Sequence, residues 1–151
     1  MNRLLLLTLL CTLAACEDVV DSMVPRARVE LELNTRTTGL EFEQNGYQLI
    51  TTPPNSSSYI GYGGLLLIRG YTSTSEVYAF DLSCPVEVSR TVRLKVEDSH
   101  KAVCPTCGST FDMIRYGNPA PTTGPAKEKR LLLRRYNAWY SETDYTLRVH
   151  N

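Results

Sequence analysis

The feature that most limits how this chain can fold is its punctuation. Apolar stretches of a few residues, several of them alternating with polar ones, are cut at short intervals by glycine, proline, serine and asparagine. RVELELN (28–34) sets Val29, Leu31 and Leu33 on one face and Arg28, Glu30 and Glu32 on the other, the period of a half-buried strand. LEFE (40–43) repeats the alternation, and Asn45-Gly46 is the kind of dipeptide that closes a tight hairpin before YQLI (47–50). After the loop PPNSSS (53–58), YIGYGGLLLIRG (59–70) predicts a glycine-relaxed bend into a strand, 65–68, apolar enough to be buried on both faces.

EVYAFDLSC (76–84), VRLKV (92–96), KAVC (101–104), STFDMIRY (109–116), LLLRRYNAWY (131–140) and YTLRV (145–149) read as further strands, with GNPAPTTGPAKEK (117–129) as turn. No stretch carries an apolar repeat at helical spacing over three turns, and there is no internal repeat or heptad. The expectation is an all-β domain of small antiparallel sheets with about nine or ten short strands. A chain of 151 residues holds one such domain with a modest core. Sixteen Lys+Arg against sixteen Asp+Glu, with no basic stripe, exclude a nucleic-acid footprint. Tyr136, Trp139 and Tyr140 are read as packing, and the basic run 127–130 with Arg134 and Arg135 as a solvated turn and strand face.

The N-terminus, MNRLLLLTLLCTLAAC, has one cation, an apolar run over 4–10 and small residues before Cys16. This is a secretory signal, too short to span a bilayer. Leu13-Ala14-Ala15-Cys16 resembles the lipobox of bacterial lipoproteins, and Glu17-Asp18 resembles the acidic export signal of some surface lipoproteins. The lipobox resemblance implies a signal peptide over 1–15, a lipidated Cys16, a tether over 16–26 and a domain over 27–151. It places the protein in the cell envelope, with the outer membrane expected, in an oxidising compartment. The membrane is its partner through Cys16, anchored stably only if several acyl chains are attached; no protein partner is indicated.

With Cys11 lost with the leader and Cys16 lipidated, Cys84, Cys104 and Cys107 remain as thiols. Cys104-Pro105-Thr106-Cys107-Gly108 is a knuckle, a tight turn that puts both sulfurs on one side and uses glycine for the positive φ such turns need. A zinc ribbon or rubredoxin-like site needs a second C-x-x-C, and only Cys84 is left. A thioredoxin-like pair belongs at a helix N-terminus, whereas strand-forming residues follow here. His100 and His150, the two histidines, read as solvated and not as partners for a nucleophilic thiol.

The chain around these cysteines resembles Rieske 2Fe-2S domains. Their second ligand box, C-P-x-H-G-S-x-F, is matched by Cys104-Pro105-Thr106-Cys107-Gly108-Ser109-Thr110-Phe111. Their first box, C-x-H, falls on Cys84-Pro85-Val86 after Tyr78-Ala79-Phe80-Asp81, with residues 87–103 between the boxes. Gly124-Pro125-Ala126, then Leu131-Leu132-Leu133 and Tyr136, resemble the proline loop and closing strand. The resemblance spans roughly 60–140 and implies a cluster-type subdomain over about 80–126, built from two Cys loops and a Pro loop. It also implies a Ser109 hydrogen bond to a cluster sulfur and Cys84 and Cys104 on one iron.

Departures decide what such a site does. The two histidine positions are held by Val86, which ligates nothing, and Cys107. Three outcomes follow for Cys84, Cys104 and Cys107. A metal-free or disulfide-stapled site ranks first; a Cys84–Cys104 bridge would close a loop of about twenty residues and stabilise by roughly 3 kcal/mol. Zinc, completed by His100, Asp81, Glu87 or water, and an atypical 2Fe-2S cluster rank behind it. The expected function is an envelope lipoprotein with a degenerate Rieske-like site in a non-catalytic binding or structural role; the alternative is a tethered electron carrier. No motif supports catalysis beyond redox.

Overall fold

Alternation in the sequence becomes strand in the structure, a computed structural model that describes residues 22–37, 46–70, 73, 75–97, 101–112 and 117–151. The protein is all-β, and its sheets are antiparallel. One sheet of seven strands curls into a nearly closed barrel. Its strands are β1 (Val29–Asn34), β2 (Tyr47–Ile50), β3 (Tyr59–Ile60), β4 (Leu65–Arg69), β5 (Val77–Asp81), β10 (Arg135–Ser141) and β11 (Thr146–His150), in the order β2-β4-β5-β10-β11-β1-β3. A second sheet, β6-β7-β8-β9, joins β6 (Lys95–Glu97), β7 (Lys101–Val103), β8 (Thr110–Asp112) and β9 (Pro121–Thr123). The helical turn α1 (Pro125–Glu128) follows β9.

β1 shows why period two suffices here. Val29, Leu31 and Leu33 are buried, the residues between them are exposed, and Glu32 lies opposite Arg148 of β11, whose guanidinium donates to it at 3.0 Å. β4 is buried on both faces, as its unbroken apolar run predicts, and β5 beside it is buried on both faces as well. Leu65, Leu67, Val77 and Ala79 enter the barrel core with Val29, Leu31, Leu147 and Val149. Leu66, Ile68, Tyr78 and Phe80 enter a second core shared with Leu94, Ala102, Phe111, Ala126, Leu131 and Leu133. Cys84 and Cys104 belong to that second core, so the two-faced strands carry the barrel on one side and the cysteine loops on the other.

Several elements differ from the sequence reading. VRLKV forms a strand only from Lys95; before it, Arg93 makes a single bridge to Ser83. LLLRRYNAWY pairs only from Arg135, because Leu131 and Leu133 are used as plugs in the second core and the Leu133 N–H bonds to the Pro119 carbonyl. The segment read as turn, 117–129, contains β9 and α1. Thr110 Oγ1 meets the hydroxyls of Thr122 and Thr123 at 2.6 and 2.7 Å, and Pro121 is tolerated because β9 is an edge strand. Pro125 then opens α1 at a position where a missing N–H costs nothing.

Tyr136 and Tyr140 are buried in the barrel core, and Trp139 lies half exposed on the other face beneath Arg148. Arg134, read as solvated, is half-buried and donates to the carbonyls of Ser22 and Val24 at 2.6 and 2.7 Å. Val24, inside the expected tether, is fully buried. The leader 1–15, Cys16, the strand read at 40–43, Asn45, His100 and residues 113–116 lie outside the described residues. Among the described residues no helix is long and apolar enough to cross a membrane.

Candidate functional site

Two loops carry the cysteines, one after β5 and one between β7 and β8. In the second, the Gly108 N–H bonds to the Cys104 carbonyl at 3.0 Å, the Cys104 N–H bonds to the Ser109 carbonyl at 2.9 Å, and Gly108 sits at φ 70°, as the knuckle reading expects. In the first, the Val88 N–H bonds to the Cys84 carbonyl at 2.9 Å. The two loops bring the sulfurs of Cys84, Cys104 and Cys107 within 4.8 Å of one another. All three are free thiols, and Cys84 and Cys107 touch at 3.6 Å, a pairing that sequence reasoning did not single out.

Ser109 ties this centre to the proline loop. Its hydroxyl oxygen accepts the Ala126 N–H at 2.9 Å and the Cys107 S–H at 3.1 Å, and once Cys107 is a thiolate the hydroxyl hydrogen can turn to donate to that sulfur. A Cβ on Gly124 would lie 2.8 Å from the Ser109 Cα, so only glycine lets the loop close this tightly. Val86 is half-buried and packs against the second core, the behaviour of a filler.

The thiols are not equivalent. Burial pushes Cys84 up to about 12, the neighbouring Cys104 sulfur adds to this, and the Glu87 and Val86 N–H groups pull the other way. Burial also raises Cys107, but the Ser109 hydroxyl and N–H, then the Cys104 and Cys84 sulfurs, outweigh it and hold Cys107 below the ordinary thiol value. As pH rises, Cys107 therefore becomes a nucleophilic thiolate before Cys84 does. In the reduced, metal-free protein near neutral pH, iodoacetamide followed by peptide mapping is expected to modify Cys107 well ahead of Cys84. Ser109→Ala, which removes a donor to the thiolate, is expected to slow that reaction.

Asp81, considered above as a metal ligand, is otherwise engaged. Its carboxylate is fully buried and accepts the N–H groups of Tyr62 at 2.8 Å, Gly63 at 2.9 Å and Ser83 at 2.8 Å, together with the Tyr136 hydroxyl at 2.8 Å. Burial, and then the Asp81 charge, push the Tyr136 hydroxyl far above its usual range, so it stays a donor. Asp81 thus locks the 61–63 turn and the residue before Cys84 into one frame. His150 is exposed on β11, away from any role here.

These donors can hold one metal ion. A tetrahedral ion with bonds to sulfur of about 2.3 Å sets its sulfurs roughly 3.8 Å apart, close to the observed contact. The 2Fe-2S cluster that the Rieske resemblance implies does not fit. On two irons Cys107 would belong to the second, beyond the bridging sulfides, yet its sulfur lies against Cys84 at 3.6 Å, and Val86 supplies no ligand.

Fold and site together define an all-β domain with a three-thiol centre able to bind metal. No family model, curated protein or solved structure matches the chain.

Proposed function

We propose that this is a lipid-anchored envelope protein whose Rieske-like domain carries a remodelled site with a structural or binding role in place of electron transfer. The carrying observation is the cluster of three mutually close thiols with Val86 as apolar filler, a donor set suited to closing on itself or on one ion. The two cysteine loops, the Gly124-Pro125-Ala126 loop bonded to Ser109 and the two-faced strands 65–69 and 77–81 support the scaffold reading. The leader and Leu13-Ala14-Ala15-Cys16 support the anchor.

The anchor has a geometric consequence. Ser22 is already bound to Arg134, so the chain from Cys16 spans at most roughly 20 Å when fully extended. A lipid on Cys16 therefore holds the domain against the membrane surface.

Two measurements test this reading. Labelled palmitate is expected on the wild type and absent from Cys16→Ala; label on that variant would remove the anchor. Metal and sulfide analysis of anaerobically purified full-length protein is expected to find no inorganic sulfide. Two irons and two sulfides per chain would make the protein an electron carrier.

A further inference from the structure

The two cysteine loops are built to one pattern although only one has two cysteines. Cys84-Pro85-Val86-Glu87-Val88 and Cys104-Pro105-Thr106-Cys107-Gly108 both begin Cys-Pro and both turn over the next three residues. Both close with the fifth N–H on the first carbonyl, at 2.9 and 3.0 Å. Both then pass through a left-handed residue, Val88 at φ 47° and Gly108 at φ 70°. For glycine this conformation is free, whereas for β-branched valine it costs about 1–3 kcal/mol, a strain that persists only where surroundings impose it. The first loop therefore holds the knuckle shape against its own sequence.

Matching the loops residue for residue pairs Cys84 with Cys104 and Glu87 with Cys107. Glu87 thus stands where a second knuckle would place its second thiolate. Val86, the position that matters in the Rieske comparison, matches Thr106, which is no ligand in either arrangement. Glu87 is half-buried, and its N–H already donates to the Cys84 sulfur. Its side chain is two atoms longer than that of cysteine and its carboxylate stands outside the group of three close sulfurs, so metal binding requires it to swing in over the loop. Asp81 cannot compete, because its oxygens are filled by four donors.

We infer that Cys84, Cys104, Cys107 and Glu87 form a closed tetrahedral site for a single zinc ion that clamps the two loops together. The inference rests on the remodelled-site reading above. Sulfur-rich donors with one carboxylate suit zinc and leave no open position for substrate, which makes the role structural. On binding, three metal–sulfur bonds and one metal–oxygen bond form, and the protons of the thiols that were still protonated pass to solvent.

The test uses full-length protein in detergent, reduced, stripped with chelator and titrated anaerobically with Co2+ and then Zn2+. One ion per chain with the intense visible bands of tetrahedral cobalt thiolate is expected. Glu87→Ala should weaken zinc binding by at least about 10-fold, the loss already typical of removing an outer partner. Glu87→Cys, which keeps the loop and restores a fourth ligand, should bind at least as tightly as wild type and redshift the cobalt spectrum. Glu97→Gln, at an exposed strand position, should change neither. An unchanged affinity and spectrum in Glu87→Ala, or no binding of either ion by the wild type, overturns the inference and leaves the remodelled-site reading intact. A preparation holding two irons and two sulfides per chain overturns both.

Discussion

Asp81→Ala is expected to lower the stability of the domain by about 4 kcal/mol and to loosen the first cysteine loop. The substitution leaves three N–H groups and one hydroxyl without an acceptor in a fully buried site. Each unpaired buried donor costs roughly 1–3 kcal/mol, and water entering the vacated volume recovers part of the sum. The midpoint of urea unfolding measures the loss. Asp81→Asn keeps the shape but sets an amide NH2 against two of the donors, so an intermediate cost of about 2 kcal/mol is expected. Tyr136→Phe removes only one of the four bonds and should cost least. If Asp81→Ala unfolds at the wild-type midpoint, the carboxylate is not the frame for the 61–63 turn and Ser83.

Phe111→Ala is expected to cost about 3–5 kcal/mol, the range for emptying an aromatic site in a core that cannot collapse. Phe111 is fully buried on β8, opposite Ala102 on one side and Pro121 on the other, in the same core as Cys84 and Cys104. Its ring holds the small four-stranded sheet and the sulfurs in mutual register. Weaker zinc binding should therefore accompany the lower unfolding midpoint. Phe111→Leu, which keeps most of the volume, should cost less than about 1.5 kcal/mol. Equal midpoints for the alanine and leucine variants would mean that the site collapses freely after truncation.

The large effects thus concentrate at the junction of the two sheets, where the cysteine loops leave β5 and β7. Barrel strands far from it, such as β1 with its exposed Glu32–Arg148 pair, carry electrostatics worth little in comparison.

What the sequence determined by itself is local. The alternation over 28–34 made β1, the apolar run over 65–68 required burial on both faces, and Cys-Pro-Thr-Cys-Gly dictated a turn with glycine at positive φ. Each follows from the period of a strand or the allowed angles of one residue, and needs no distant partner. Tertiary structure decided the rest. That Cys84 touches Cys107, that Asp81 is an acceptor for four donors and not a ligand, and that Ser109 bridges to Ala126 all depend on segments 17 to 55 residues apart meeting. β9 and α1 were hidden because their residues are turn formers, made regular by the Thr110 pairing and by Pro125. Val88 at positive φ was equally hidden, since valine disfavours that conformation and only the packing around the first cysteine loop holds it there. Local periods are written residue by residue, whereas a site is written by the docking of one sheet on another.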